Sequence, residues 1–406
     1  MTKAAFRNCL ASAAILAALP ARGADLAPEY WEFFGDLEIE ATGFFQAPQF
    51  AGQTRDDASI AGTATLLAEW LDGDLAFRLT PFARADAADN RRSHVDIREF
   101  KFDYASGDWS FTAGVDTLFW GKTEVVHLVN IINQIDRVES QINDIPMGQP
   151  MVKAAYLTEI GEFSAFAMPY FRERTFPGRA GRLRFAIPVD TSNPVYETDA
   201  EQWTPAFAVR YSGVIGNVDL GLSAFEGLSR DPSFRQSGQI LLPVYSRIVQ
   251  GGIDAQYTAD ATLWKLESIY RTGQRNLSGV KEDYFATTGG LEHTFFGLFD
   301  SDADLGLIGE YAYDARGEQA LTPFENDLIL GTRLSLNDAQ DTELLFTSAV
   351  DTDDGALGLR FEAERRLSDD FRIEIEAQAF LNTDSNSFEG SFADDSYVRT
   401  KLRWFF

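Results

Sequence analysis

Cysteine is almost absent from the chain: Cys9 is the only one in 406 residues. It lies just before the apolar run Leu10–Leu19, near the N-terminus. If export removes this segment, the mature chain has no cysteine, which excludes a disulfide framework and a thiolate metal site. A lipid anchor is not expected either, because its cysteine would follow the apolar run.

Long hydrophobic runs are also missing. Beyond the N-terminal segment there is no stretch of about 18 apolar residues, so no membrane-spanning helix is predicted. The segment itself has Lys3 and Arg7 before its apolar run and small residues after it. This pattern predicts a signal peptide at 1–23, cut after Gly23, and a mature domain at 24–406, although a buried N-terminal helix is the alternative.

Basic residues are few. Without Lys3, Arg7 and Arg22, 32 basic residues face 62 acidic ones, a net charge of −30. A nucleic-acid partner is implausible at this charge. Aromatic residues, in contrast, reach 13%. An exported, aromatic-rich chain without a spanning helix is either a periplasmic protein or a transmembrane β-barrel.

Alternation of apolar and polar residues favours the barrel. Residues 109–119 and 371–381 are clear examples, and the segments are long enough for tilted strands to cross a bilayer. We therefore predict an all-β, antiparallel up-and-down barrel of about 18 strands, with 16 as the alternative, and an inserted external loop. The predicted strands begin near residues 31, 58, 73, 95, 109, 151, 162, 201, 217, 244, 261, 283, 303, 326, 340, 355, 371 and 395.

The connectors alternate between tight turns and longer segments, as in bacterial barrels with short periplasmic turns. Tryptophans then fall into two predicted girdles at the membrane surfaces. The periplasmic girdle comprises Trp31, Trp70, Trp109, Trp264 and Trp404, and the external one Trp120 and Trp203. The terminal strand Val398–Phe406 ends on phenylalanine, which resembles the signal read by the outer-membrane assembly machinery. We expect a Gram-negative outer-membrane location with lipid, lipopolysaccharide and that machinery as partners.

The polar face of the predicted strands carries charges of both signs. Such a face is costly in lipid, so it must line water or form internal ion pairs. The charges could form a structural ladder or an electric field in a pore, and the basic residues of the last strand should lie beside the acidic row of the strand before it. The candidates for this lumenal face are Arg78, Arg84, Arg360, Glu374, Glu376, Arg399, Lys401 and Arg403.

Two long loops are candidates for narrowing the lumen. Residues 120–150 carry a helix-like apolar stripe over Glu124–Ile142 that would not stay in water, which predicts a constriction loop folded into the barrel mouth. Residues 171–184 are rich in arginine and could select an anionic solute inside the pore, or contact lipopolysaccharide phosphates outside. The candidate constriction residues are Trp120, Lys122, Glu124, Asn130, Asn133, Asp136, Arg172, Arg174, Arg179 and Arg182.

Several of these residues carry a family resemblance. Trp120-Gly121, Asn130-x-x-Asn133-x-x-Asp136, Pro150-Met151-Val152 and Phe176-Pro177-Gly178 resemble motifs of a proteobacterial outer-membrane barrel family of unknown function, regarded as putative porins. The resemblance covers residues 111–180 and departs from the usual Asn-Pro-x-Asp at residues 133–136. It implies a transport or export channel and carries over no catalytic residue.

Enzyme motifs are weak. His94 and His127 fall in predicted external loops and His293 in a strand, none beside a serine in a barrel-hydrolase arrangement. No cofactor and no metal site are predicted. The leading hypothesis is a porin-like channel for passive passage of a polar or anionic solute, possible as a homo-oligomer. The alternative is a plugged, non-conducting barrel that serves an export or lipid-transport system.

Overall fold

The structure is a computed structural model that describes residues 27–383 and 389–406. The predicted signal peptide at 1–23 and its cleavage point lie outside the described residues. Within the described ranges, no helix is both long enough and apolar enough to span a membrane.

Nearly all regular structure in the described residues is β-strand, with four short 3₁₀ helices at Glu201–Trp203, Leu298–Asp300, Gly317–Gln319 and Glu389–Phe392. The strands are β1 (Tyr30–Phe44), β2 (Asp56–Trp70), β3 (Leu75–Asp86), β4 (His94–Ser106), β5 (Trp109–Asp116), β6 (Gln149–Thr158), β7 (Gly161–Met168), β8 (Val195–Tyr196), β9 (Ala206–Ile215), β10 (Val218–Leu228), β11 (Ser233–Ser237), β12 (Ile240–Tyr245), β13 (Arg247–Ala259), β14 (Thr262–Arg275), β15 (Lys281–Phe295), β16 (Asp304–Asp314), β17 (Asn326–Ser335), β18 (Glu343–Asp351), β19 (Leu357–Arg366), β20 (Phe371–Leu381) and β21 (Tyr397–Phe405).

Eighteen of these strands form one closed antiparallel barrel. Each strand pairs with its neighbours along the chain, and β21 pairs with β1 from Asp36↔Phe405 to Phe44↔Tyr397. This closure removes both sheet edges, which is the condition for a sheet to stand in lipid. The remaining strands, β8, β11 and β12, form a small separate sheet. The predicted fold class and strand number are confirmed.

Most predicted strand starts agree closely with the structure. The largest difference is at residue 201, where Glu201–Trp203 forms a 3₁₀ turn and β9 begins only at Ala206. A strand is predicted to begin near residue 201, but Glu201 adopts a left-handed backbone, with φ at +50°. A residue in that conformation cannot continue a β ladder.

Alternation along each strand separates an apolar outer face from a polar inner face. On β1, Trp31 and Ile39 are exposed on the outside, whereas Glu38 and Glu40 are buried on the inside. The pairing of β1 with β2 and β21 carries the same division to the neighbouring strands, because directly paired residues share a face. The barrel therefore presents apolar side chains outward and charged ones inward, as a bilayer requires.

Tryptophan positions follow this division with one exception. Trp31, Trp109, Trp264 and Trp404 are exposed near the short-turn end of the barrel, where Trp70 is half-buried, and Trp203 is exposed at the other end. Trp120 is only 9% exposed. Its ring packs on Phe166 and under the guanidinium of Arg210, which are inner-face residues of β7 and β9. The prediction of Trp120 as an external girdle residue is therefore wrong, because the chain turns into the barrel after β5.

Candidate functional site

The segment between β5 and β6, residues 117–148, lies inside the barrel. Its apolar residues Val129, Ile131 and Ile132 are at most 2% exposed and belong to one core cluster with wall residues such as Phe225 and Ile269. Both of these wall residues are on the inner face, of β10 and β14. The segment thus fills the side of the lumen next to β7, β9, β10, β13 and β14. We call it the inserted loop.

Two wall carboxylates hold the start of the inserted loop. Glu267 on β14 accepts hydrogen bonds from the backbone N–H groups of Lys122, at 2.6 Å, and Val129, at 3.2 Å. Glu310 on β16 accepts one from Glu124 N–H at 2.8 Å. A buried carboxylate is stable when several donors surround it, and these donors come from loop backbone that would otherwise be unsatisfied. Glu267 and Glu310 therefore anchor the start of the inserted loop to the barrel wall.

Two asparagines of the predicted Asn130-x-x-Asn133 motif form hydrogen bonds within the inserted loop. Asn130 Oδ1 accepts a hydrogen bond from Trp120 N–H at 2.7 Å. Asn133 accepts one from Leu118 N–H at 2.9 Å and donates to the carbonyls of Asp116 and Met147, both at 2.8 Å. The asparagines thus connect the two ends of the loop at the point where it leaves the wall.

The helix-like spacing of apolar residues over 124–142 does not correspond to a helix, because these residues form turns, bends and one β-bridge between Ile135 and Pro146. Wall carboxylates and loop asparagines satisfy the loop's backbone groups one at a time, in place of the i to i+4 hydrogen bonds of a helix. The apolar residues of the stripe still become buried, but against different parts of the wall.

Asp136 joins the inserted loop to β4 and to the second loop. Its carboxylate accepts hydrogen bonds from Arg98 Nη2, at 2.8 Å, and Thr175 Oγ1, at 2.7 Å, and lies 3.4 Å from His94 Nε2. Burial disfavours its charge, but His94, Arg98 and Thr175 outweigh this and hold the pKa of Asp136 below its usual range. Asp136 therefore stays charged and links the inserted loop to β4 and to the arginine-rich residues 171–184.

The arginine-rich loop, residues 171–184, lies over the mouth of the lumen and is largely neutralised there. Arg184 donates to backbone carbonyls and Arg179 is exposed. The other arginines each reach a carboxylate: Arg172 pairs with Asp96 at 2.7 Å, Arg174 with Asp231 at 2.8 Å and Arg182 with Asp395 at 2.6 Å. The local excess of positive charge seen in the sequence is thus mostly compensated in the fold.

The Phe176-Pro177-Gly178 motif belongs to the same loop, and its glycine has a steric role. Gly178 N–H donates to Asp89 Oδ2 at 2.6 Å. A Cβ atom at residue 178 would lie 2.3 Å from Asp89 Oδ1, so only glycine allows this approach. The motif therefore fastens the arginine-rich loop to the β3–β4 connection.

The lumenal wall near the barrel seam carries interleaved charges. Arg399 pairs across strands with Glu376, and Lys401 with Glu374, on β20. On the other side of β21, Arg403 Nη2 lies 2.7 Å from Glu38 on β1. Among the other candidate charges, Arg84 contacts Glu38 and Glu139, Arg360 contacts Glu362, and Arg78 is paired loosely with Glu99. The acidic rows of β20 and β1 thus flank the basic residues of β21.

Empty space remains between the inserted loop and the wall formed by β17 to β20. One cavity of about 520 Å³ extends from the external loops into the lumen, and a second of about 260 Å³ continues toward the short-turn end. Both are lined by Asn143, Leu345 and Glu362, so the two cavities meet at these residues. We call this place the junction.

Only some of the predicted constriction residues face this space. Glu124, Asn130, Asn133 and Arg174 line the larger cavity. The lining does not include Trp120, Lys122, Asp136, Arg172, Arg179 and Arg182, most of which hold the loops in place as described above. Among the lumen charges, Arg360 lines the larger cavity, and Glu374, Glu376, Arg399 and Lys401 the smaller one.

Two residues of the junction, Asn143 and Leu345, are not among those predicted from the sequence to line the lumen. The sequence does contain a signal for Leu345, because it is an apolar residue at an inner-face position between Glu343 and Thr347 on β18. Asn143 carries no signal of its own, since its place depends on the path of the inserted loop.

No protein-family model and no curated protein matches the chain. The resemblance over residues 111–180 therefore stays a prediction. Among solved structures, the chain is similar to two variants of Rhodopseudomonas blastica porin, one with five substitutions (12% identity, TM-score 0.47) and one triple mutant (11%, 0.46). It is also similar to an engineered protein described by asymmetric conductivity (12%, 0.46). Each likeness covers 93% of this chain and 100% of the other, and at these values it assigns no solute and no oligomeric state.

Proposed function

We propose that the protein is a porin-like channel of an outer membrane that passes small polar solutes by diffusion. The observation that carries the proposal is the pair of cavities that meet at Asn143, Leu345 and Glu362. Together they run along the inner wall of β17 to β20, from the external loops toward the short turns. A solute following this route would pass the inserted loop on one side and the wall on the other.

The outer surface supports the membrane location. Apolar side chains such as Ile39, Phe207 and Val214 are more than half exposed on strands whose inner faces are polar. Such a surface is unfavourable in water and suited to lipid, and aromatic residues at the rims fit the headgroup regions. Lipopolysaccharide, the barrel assembly machinery and a second copy of the chain remain predicted partners.

The inserted loop is the proposed constriction. Its anchors on Glu267 and Glu310 keep it against one side of the lumen. Val126 packs on Ile329 of β17, and the two cavities lie in the remaining space between the loop and β17 to β20. At the junction the path is bordered by one amide, one leucine and one carboxylate. No step of this passage requires bond making or breaking, so we propose a passive channel without enzymatic turnover.

Planar-bilayer recordings test the proposal. The purified, refolded barrel should give discrete conductance steps, and deletion of residues 122–146 should enlarge them because the constriction is removed. Liposomes containing the protein should swell in small sugars at rates that fall with sugar size.

The plugged alternative predicts the opposite results. It is favoured by the packing of Val129 and its neighbours, which closes one side of the lumen. A barrel that neither conducts nor swells liposomes, with and without residues 122–146, would exclude the channel and leave a role as a binding or assembly partner.

A further inference from the structure

The larger cavity has one wall rich in arginine. A row of contacts runs along it: Arg174 and Arg271 share the carboxylate of Asp231, at 2.8 and 2.9 Å, and Arg271 and Arg316 both lie over the ring of Tyr284. Arg137 and Arg230 line the same cavity. The group contains five arginines but only three carboxylates, which belong to Asp144, Asp231 and Asp314. This wall therefore has a local positive excess, within a lining that holds six arginines and seven carboxylates in all.

One guanidinium in this row has an unused donor. Arg316 is held by Asp314 through Nε and Nη2, at 2.9 and 2.6 Å, and its side chain is 4% exposed. Its Nη1 atom is buried without a hydrogen-bond partner among the described residues. A buried donor without a partner is unfavourable, so an incoming acceptor at this point would be stabilised.

The other carboxylates that line the cavity are engaged elsewhere. Glu124 pairs with Arg333 at 2.8 Å and Glu362 with Arg360 at 2.6 Å. Asp351 accepts hydrogen bonds from the backbone of its own turn, and Asp327, opposite it on β17, accepts one from the backbone N–H of Asn326. The arginine wall is thus the part of the cavity that offers donors to a ligand.

A second wall is aromatic. Phe176, Phe185 and Phe234 contact one another with ring centroids 5.3 to 6.3 Å apart. Phe392 extends this group to Phe380, at 6.3 and 5.9 Å. All five rings line the cavity, and residues 231–234 connect them to the arginine wall through Asp231, Pro232 and Phe234. Phe176 and Phe392 are buried, whereas Phe185, Phe234 and Phe380 are partly exposed. Covering this remaining apolar surface with a ligand would be favourable.

We propose that this cavity is a binding chamber for amphipathic carboxylates, which place their carboxylate on the Arg271–Arg316 wall and their apolar body on the phenylalanines. Guanidinium groups pair with carboxylates through directed, charge-assisted hydrogen bonds, and phenylalanines favour an aromatic or aliphatic body. The inference rests on the proposed channel and narrows its solute to this class. A fully polar sugar would leave the aromatic wall uncovered, and a simple inorganic anion would use only half of the chamber.

The probe is 3-phenylpropionate. Two control compounds are compared with it: propionate, which lacks the ring, and 3-phenylpropylammonium, which carries the opposite charge. In potassium chloride recordings, 3-phenylpropionate should reduce the conductance in a saturable manner. It should do so at concentrations at least about tenfold below those needed with either control compound. Arg316→Gln and Phe234→Ala should each weaken this block about tenfold. Arg78→Gln, at a lumenal arginine outside the linings of both cavities, should leave it unchanged.

Equilibrium dialysis of the detergent-purified barrel with labelled 3-phenylpropionate separates this inference from the channel. If the barrel conducts but 3-phenylpropionate neither blocks it nor binds saturably in dialysis, the binding chamber is overturned and the channel is not. Saturable binding that Arg316→Gln and Phe234→Ala weaken, in a barrel without conductance, supports the chamber and overturns the channel. Equal block by propionate, or an equal loss of block in Arg78→Gln, also overturns the chamber. Electrophoretic heat-modifiability verifies that each variant is folded.

Discussion

Glu267 and Thr123 are joined twice: Oε1 of the wall carboxylate accepts hydrogen bonds from the backbone N–H of Thr123, at 3.2 Å, and from its hydroxyl, at 2.9 Å. Both side chains are buried in the lumen. The pair connects the membrane-spanning wall to the inserted loop across 144 residues of sequence. It therefore fixes which side of the lumen the loop fills and which side stays free.

Replacing Glu267 should release the loop. Glu267→Ala leaves several backbone donors of the loop without an acceptor, so we expect the free energy of unfolding to fall by about 3 kcal/mol. Urea unfolding in detergent, followed by tryptophan fluorescence, measures this change. Glu343→Ala is the matched control, because Glu343 is an exposed inner-face carboxylate whose removal should cost less than about 0.5 kcal/mol. Equal stability of both variants would contradict the role of Glu267.

The Arg182–Asp395 pair should hold the arginine-rich loop over the mouth. Its atoms lie 2.6 Å apart with side chains only 2% and 0% exposed, and Asp395 also accepts the N–H of Leu183. Removing one partner leaves a buried charge unpaired, at a cost of about 3 kcal/mol. We expect Arg182→Ala to make residues 171–200 sensitive to externally added chymotrypsin. Arg179→Ala, at an exposed arginine of the same loop, should stay as resistant as the parent protein, and equal cleavage of both would refute the assignment.

Sequence alternation predicted the wall well but the interior poorly. The pairing of Arg399 with Glu376 follows from strand order and face alone, because neighbouring strands in an up-and-down barrel are consecutive. The Glu267–Thr123 contact does not, since it depends on the direction in which the chain leaves β5. For the same reason alternation predicts Trp120 in a lipid-facing girdle, and the helix-like spacing of apolar residues over 124–142 does not indicate the structure of that segment. Contacts made by an irregular loop have no period that a sequence could reveal.

His127 should make the loop's attachment depend on pH. It lies in the inserted loop with Nδ1 3.9 Å from Glu267. Burial disfavours the imidazolium, but Glu267, Asp144 and Glu310 outweigh this and raise the pKa of His127 above its ordinary value of 6.5. A raised pKa in the folded state means that the stabilisation is complete below about pH 6.5 and is lost as the pH rises through the folded-state value.

Thermal unfolding between pH 5.5 and 9 measures this effect. The unfolding midpoint of the parent protein should fall relative to that of His127→Gln as the pH rises above about 6.5. Because His94 and His293 are present in both proteins, their contributions cancel in the comparison. Parallel pH curves for the two proteins would show that His127 has no such role.

Tryptophan quenching should report the membrane placement. In vesicles of bromine-labelled lipid, Trp264 on the outer face should be quenched, whereas Trp120 inside the lumen should not. Trp264→Phe is therefore expected to lower the quenched fraction of the total emission, and Trp120→Phe to raise it. The same direction of change in both variants would contradict the assignment of inner and outer faces.

The most direct test of the channel is thiol blocking at the junction. With Cys9 inside the predicted signal peptide, an introduced cysteine is the only one in the mature chain. A charged methanethiosulfonate reagent added during bilayer recording should reduce the conductance of Leu345→Cys by more than about half, since residue 345 lines both cavities. It should leave Ala208→Cys unchanged, because Ala208 is buried in the core cluster that the inserted loop forms with the wall. Block of Ala208→Cys, or full conductance of Leu345→Cys after verified labelling, would contradict a conduction path along β17 to β20.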